Sequence, residues 1–356
     1  MEKRWVKVEQ GDENIAKNLA LELSIDKNLA QILVQRGITN FEDARYFFRP
    51  TLTQLHDPFL MKDMELAVIR ITKALQNHEK VMVYGDYDVD GTTAVALTYS
   101  FLSQFTSEIT YYIPDRHKEG YGISTAGIDF AAANNFSLII ALDCGIRSVD
   151  KIDYANSLGI DFIICDHHLP GEILPKAIAI LDPKRTDCEY PFKELSGCGI
   201  GFKLAQAYCQ ANDLPDELYE KYLDLCMVSI AADIVPVVDE NRVLAYFGLK
   251  KLNENPCTGL KALMLISGKT TTYSITDVVF LLAPRINAAG RMGDAKDAVK
   301  MLLSDKDSIA DEHSTFINAQ NTDRKSFDQN ITKEALSIIQ QSEVLINKKT
   351  TVVYQK

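Results

Sequence analysis

The sequence predicts an α/β fold: a parallel β-sheet flanked by helices, preceded by a helical segment and followed by a mostly helical portion ending in a long helix. Three observations predict it. From residue 80, short apolar runs alternate with helical stretches, the rhythm of βαβ units. Before residue 80 and after residue 195, apolar residues recur at three- and four-residue steps. From about 306 to 341 the chain has no proline or glycine and reads as one long helix or two stacked ones.

The elements follow in order. NIAKNLALEL, DKNLAQILVQRG and NFEDARYFF, between residues 14 and 48, read as short amphipathic helices. Asp26 and Asn40 fit as N-caps, Gly37 as a stop, and Pro50 closes the segment. MELAVIRITKALQNH is a further helix. The strand candidates are 80–85, 109–114, 137–143, 161–166 and 177–182, with helix candidates at 91–104, 124–134 and 148–158. Helices are expected at 199–211, 216–232, 240–252, 258–266, 275–283 and 294–304, and KKTTVVYQK resembles the first strand of something new. The expected division is an amino-terminal helical segment packing on the core (1–78), an α/β domain (79–235), its helical extension (236–305), and a connecting helix with the start of a further domain (306–356).

The chain has 356 residues, 46% hydrophobic and 24% charged, enough to bury a sizeable core in two domains or in one with an appendage. No apolar window is long enough for a membrane helix, and the amino terminus is no secretory signal. Seven scattered cysteines without a CxxC pair point to a reduced, cytoplasmic protein and away from structural zinc. A net charge of −11 argues against a broad basic face for nucleic acid. Divalent cations held by clustered acids would invert that sign locally.

Four of the five strand candidates run into a polar loop containing Asp, and ligands of open α/β sheets bind beyond the carboxyl ends of the strands. In VYGDYDVDGTTA (83–94), Asp86, Asp88 and Asp90 alternate along what reads as extended chain, so the three carboxylates face together and repel unless a cation lies between them. Gly91 allows a turn, and Thr92 and Thr93 can cap the next helix. The spacing is not that of an EF-hand, which leaves a metal loop or a solvated acidic turn. IPDRHKEGYGIS (113–124) offers Arg116, His117, Lys118 and Tyr121 between glycines, a phosphate loop or an ordinary turn. ALDCGIRS adds Asp143 at a strand end. IICDHHLPGE places His167 and His168 after a strand, with Asp166 able to orient one ring. SIAADIVP ends an apolar helix on Asp233, a carboxylate that needs a partner. In APRINAAGRMGDA, Arg285 and Arg291 flank small residues before a helix, for anion recognition or a structural ion pair.

GDYDVDG, ALDCG, CDHH and AADIVP, in this order, resemble the DHH phosphoesterase superfamily. LHDPFLMKDMELAVIRI, IPDRHKEGYG, SGCGIGFKLAQA and PRINAAGRMGDA resemble, more narrowly, its RecJ-type single-stranded-DNA-specific exonucleases, over about residues 15–345. The resemblance implies two divalent ions, Mn²⁺ or Mg²⁺, with Asp88, Asp90, Asp143, His167 and Asp233 as ligands and Asp143 bridging. Asp86 ligates or supports. The catalytic set is then Asp143, His167 and His168, with His168 on the substrate side. Arg116, Tyr121, Arg285 and Asn287 fall in motifs that face the substrate phosphates. Where many family members have His, this chain has Tyr84, which leaves one ion's coordination open.

The implied activity is 5′-to-3′ hydrolysis of single-stranded DNA in repair and recombination, by a cytoplasmic monomer meeting repair or replication proteins. RecJ-type proteins continue into a domain with a GGGH run, and no such run occurs here. Metal binding is therefore expected to be retained and processive digestion to be weak. The alternatives are a phosphodiesterase for oligoribonucleotides or cyclic dinucleotides, and a non-catalytic replication or repair scaffold.

Overall fold

The computed structural model describes residues 4–6, 8, 9 and 11–354, Glu343 through its backbone only. It forms two units, Met1–Leu55 and His56–Lys356. The smaller contains α1 (Glu13–Leu23), α2 (Lys27–Gln35) and α3 (Phe41–Phe48). Each begins where a side chain accepts from free backbone N–H groups: Asp12 from Asn14 and Ile15, Asp26 from Asn28, Asn40 from Asp43. Ala16, Leu19, Ala30, Leu33, Val34 and Ala44 form its core.

The expected boundary at residue 78 lies instead after Leu55. The reason is α4 (Met64–Gln76), which buries Met64, Ala67, Val68, Ile71 and Ala74 in contact with elements of the larger unit. There, β1 (Lys80–Gly85), α5 (Val89–Leu102), β2 (Ile109–Tyr112), α6 (Thr125–Ala133), β3 (Phe136–Leu142), α7 (Val149–Ser157), β4 (Asp161–Cys165) and β5 (Ala179–Leu181) build one sheet. Its order is β2-β1-β3-β4-β5 and every pairing is parallel. The strands read as unbroken apolar runs because both faces are covered. Met82, Tyr84, Ile139, Ala141, Phe162 and Ile164 share a cluster with Ile128 and Ala131 of α6 and Ile152 and Ala155 of α7. The alternating residues Val81, Val83, Leu138, Ile140 and Ile163 are equally buried and belong to the opposite face.

The helical portion comprises α8 (Gly197–Ala211), α9 (Glu217–Glu220), α10 (Leu223–Asp233), α11 (Asp239–Glu254), α12 (Thr258–Ser267), α13 (Ile275–Asp277), a π-helical turn at Val278–Leu282, α14 (Ala283–Met292), α15 (Lys296–Leu303), α16 (Asp307–Gln340) and α17 (Glu343–Ile346). The helix expected over 216–232 is broken into α9 and α10. The stretch 284–295, read as small residues and arginines before a helix, is itself helical through Met292. Pro284 stands at the start of α14, directly after the π-helical turn that interrupts the α pattern. The 306–341 stretch is one continuous helix. The strand expected in KKTTVVYQK is absent from its described residues 348–354, and the last two residues lie outside the described set. No helix among the described residues is long and apolar enough to cross a membrane.

Candidate metal centre

Three neighbouring strands end together. Gly85 pairs with Leu142 and Leu142 with Cys165, so Asp86, Asp143 and Asp166 leave the sheet side by side. Asp143 takes a left-handed backbone (φ 57°), unusual for a residue with a Cβ, while its amide donates to the Cys165 carbonyl at 2.8 Å. Gly197, the first residue of α8, makes room for it: a Cβ there would lie 2.6 Å from Asp143 Cβ.

The loop after β1 is not extended as the sequence suggested. Asp88 is the N-cap of α5, accepting from Gly91 N at 3.0 Å, and the helix begins at Val89. Thr92 and Thr93 do not cap it; their hydroxyls donate back to the Asp88 and Val89 carbonyls. Asp90 therefore lies within the first turn. Its carboxylate accepts from Gly197 N, Cys198 N and Ser229 Oγ, each at 2.7 Å. Ser229 and Asp233 are one turn apart on α10, hence on one face of it.

His167 Nε2 lies 3.1 Å from Asp143 Oδ1, 3.6 Å from Asp90 Oδ2 and 3.7 Å from Asp233 Oδ2. Ligand atoms come within reach of a common cation in three overlapping groups: Asp86–Asp88–Asp143, Asp143–His167–His168 and Asp90–His167–Asp233. Asp143 and His167 each belong to two of them. Both oxygens of Asp86, Asp143 Oδ1 and His167 Nδ1 are buried without a hydrogen bond. Among the described residues, the ion-pair partners of these carboxylates are His167 and His168, never Lys or Arg.

Crowding shows in the acidities. Burial, then Asp88, pushes Asp86 up to about 7. Burial, then Asp90, pushes Asp233 up to about 6. Burial, then Asp90 and Asp88, holds Asp143 well above the carboxylate range. Burial and Asp90 also raise Asp88. Crowded acids that repel one another, with Asp86 and Asp143 holding buried oxygens that no donor reaches, are a donor set that a divalent cation satisfies.

Asp166 holds the second histidine. Its Oδ1 meets His168 Nδ1 at 2.7 Å and accepts from the amides of His167 and His168, while Oδ2 accepts from Ile146 N. The Asp166 hydrogen bond raises the pKa of His168. With Nδ1 occupied, the free Nε2 lies 3.3 Å from Tyr121 Oη. Tyr121 meets the Tyr87 ring edge-on at 6.1 Å, and Arg116 lies over that ring at 5.1 Å. Arg116 and Tyr121 are thus exposed beside the cluster. Arg285 is engaged elsewhere, donating from Nε to Asn318 Oδ1 at 2.9 Å and from Nη1 to the Leu281 carbonyl. Asn287 is half-buried on the same helix, and Arg291 is exposed.

Sequence reasoning passed over Ser229, Glu119 and Arg147. Ser229 carried a signal, since a serine one turn before the helix-ending Asp233 shares its face. Glu119, which accepts from Tyr112 Oη and Ser124 Oγ, lies in a loop with no periodicity to mark it. Arg147 donates to the Leu169 carbonyl at 2.8 Å and so braces the histidine loop.

The family model described as DHH family, N-terminal domain, matches residues 80–230, the sheet and the helices that carry the cluster. The chain is 41% identical over 339 residues to the single-stranded-DNA-specific exonuclease RecJ of Bacillus subtilis, covering 95% of this chain and 42% of that protein. It is 34% identical to RecJ of Escherichia coli, covering 80% of this chain and 51% of that one. A crystal structure of exonuclease RecJ bound to manganese superposes with a TM-score of 0.73 at 29% identity, over 81% of this chain and 71% of that one. RecJ of Thermus thermophilus in complex with Mn²⁺ gives 0.79 at 25% identity, over 92% and 47%. The chain thus spans about half the length of the curated relatives it matches. With the family model lying on the cluster-bearing sheet, residues 80–230 match the N-terminal domain of the DHH family, and the chain as a whole is similar to RecJ proteins along almost all of its length.

Proposed function

We propose that the chain is the catalytic core of a metal-dependent phosphodiesterase that hydrolyses single-stranded DNA from the 5′ end. The observation that supports this most is the set of three overlapping ligand groups sharing Asp143 and His167 at the carboxyl edge of the sheet. Two of the similar solved structures, both of RecJ, hold manganese. Here Asp86, Asp88 and Asp143 would hold one divalent ion, and Asp90, His167 and Asp233, with Asp143, a second. Mixed carboxylate and imidazole donors suit Mn²⁺ better than Mg²⁺. When bound, such a pair supplies an activated water and neutralises charge on the phosphoryl oxygens.

The chain's own residues do the rest. Asp143, shared by two groups, would hold both ions. Asp166 fixes His168 so that its Nε2 presents a proton to a phosphate oxygen. Arg116 and Tyr121 line the approach, one offering a guanidinium for phosphate and the other an aromatic face for a base. Arg285 and Asn287 act from α14, Arg285 after release from Asn318. The activity places the protein in DNA repair and recombination, in the cytoplasm.

The test is a digestion series with Mn²⁺, using a 5′-phosphorylated single strand, the matching duplex and a dinucleotide. The single strand should be shortened from its 5′ end, and Asp143→Asn or a chelator should reduce this to background. Preferential cleavage of the dinucleotide would move the reading to a small-substrate phosphodiesterase. No Mn²⁺ binding in calorimetry would move it to a scaffold.

A further inference from the structure

Tyr84 lies on β1 two residues before Asp86, yet its hydroxyl serves a different loop. The ring is buried and stacked on Tyr112, with centroids 5.4 Å apart and planes 15° from parallel. The hydroxyl donates to the Gly122 carbonyl at 2.9 Å and accepts from the Ser124 amide at 3.1 Å. One oxygen thus ties two backbone groups at the end of the 115–124 loop. Gly127 packs so closely that a Cβ there would come within 2.7 Å of Tyr84 Cε2, which holds the ring in place.

Glu119 works from inside the same loop. Its Oε2 accepts from Tyr112 Oη at 2.9 Å and Ser124 Oγ at 2.5 Å, and its Oε1 accepts from Asp115 N at 2.8 Å. Asp115 in turn accepts from the amides of His117 and Lys118, and Ser124 caps α6 by accepting from Gly127 N. The loop needs such pinning. Gly120 and Gly122 both adopt left-handed backbones (φ 85° and 79°), and Asp115, Arg116, His117, Lys118 and Tyr121 are exposed. With few apolar contacts of its own, it would otherwise belong to the low-stability end of the structure.

We propose that Tyr84 and Glu119 are positioning residues that fix the 115–124 loop, so that Arg116 and Tyr121 are held over the cluster for an incoming single strand. Neither contacts the substrate. The Tyr84 hydroxyl is spent on the loop and not on the acidic cluster, so its loss should change strand affinity and not metal affinity. The proposal rests on the reading of this loop as the substrate side of a single-strand nuclease.

Tyr84→Phe keeps the ring and its stacking while removing the anchor, and Glu119→Ala is the second variant. Three quantities decide the matter: Mn²⁺ affinity by calorimetry, affinity for a phosphorothioate single strand in Mn²⁺ by fluorescence anisotropy, and the rate of tryptic cleavage after Arg116 and Lys118. Tyr84→Phe should raise cleavage and weaken strand binding by about tenfold each, the scale of a lost buried hydrogen bond, with Mn²⁺ affinity unchanged. Unchanged cleavage, or Mn²⁺ affinity falling in step with strand affinity, overturns the proposal. Should the unmodified chain fail to bind the strand, the nuclease reading fails, and cleavage still decides whether the anchor exists.

Discussion

Asp90 shows how a single residue is committed before any cation arrives. Three donors from two helices converge on its carboxylate: the first two amides of α8 and the hydroxyl of Ser229. The amides also offer the positive end of a helix dipole. What remains is one face of Oδ2, directed towards His167. Ser229 adds a link to α10 and hence to Asp233, so two candidate ligands of one centre are coupled through a residue that touches no metal. Ser229→Ala should lower Mn²⁺ affinity by about 10- to 100-fold, the usual cost of losing a hydrogen bond behind a ligand. Calorimetry with a circular-dichroism check of the fold measures it; an unchanged affinity would leave Ser229 only a packing role.

Between elements, glycines decide which backbones can touch. A Cβ on Gly290 of α14 would lie 2.4 Å from the carbonyl of Tyr87, in the middle of the acidic loop. Gly290→Ala should therefore push Asp86 and Asp88 out of register, at a cost of about 1–3 kcal/mol for overpacking. A fall in both melting temperature and Mn²⁺ affinity is expected; a normal affinity would mean that α14 yields instead. This contact also explains what the sequence could and could not convey. The strands were legible because burial on both faces leaves apolar runs, and each acid followed a run. Asp143 and His167 could therefore be placed at the edge of the sheet without coordinates, and Asp233 at the end of an apolar helix. The start of α5 was not, because Asp88 serves as both candidate ligand and cap. Nor was α14, whose Pro284 and Gly290 obscure a helix, although Pro284 follows a π-helical turn and Gly290 answers a distant carbonyl. The engagement of Arg285 with Asn318 depends on α14 meeting α16, which no local pattern encodes.

Across the whole molecule, the cluster makes stability depend on pH and on cations together. Asp86 and Asp233 have folded pKa values of about 7 and 6 against an ordinary 3.8. A raised carboxylate favours the folded state while protonated, so this contribution is complete below the ordinary value and is lost as pH climbs through the folded one. His168, raised by Asp166, acts in the same direction. In chelator, the melting temperature should fall between about pH 5 and pH 7.5, and saturating Mn²⁺ should offset most of that fall, because the ion binds the deprotonated carboxylates and so stabilises the folded state more as pH rises, by about 2.7 kcal/mol once it reaches a hundredfold excess over Kd. A metal-free melting temperature that rises across this window would contradict the assignment.

The strand order β2-β1-β3-β4-β5 has a further consequence, in time rather than in space. Every neighbouring pair is parallel, so each must wait for a crossover, helical for all but the β4–β5 pair, which is joined by the loop that carries His167 and His168, and such non-local pairings are slow to assemble. Asp86, Asp143 and His167 come from three separate strands and Asp233 from a helix beyond the last of them. A nascent chain therefore owns scattered acids and no binding centre. The cation can be captured only at the end of folding, and its hold is felt as slower unfolding rather than as faster assembly.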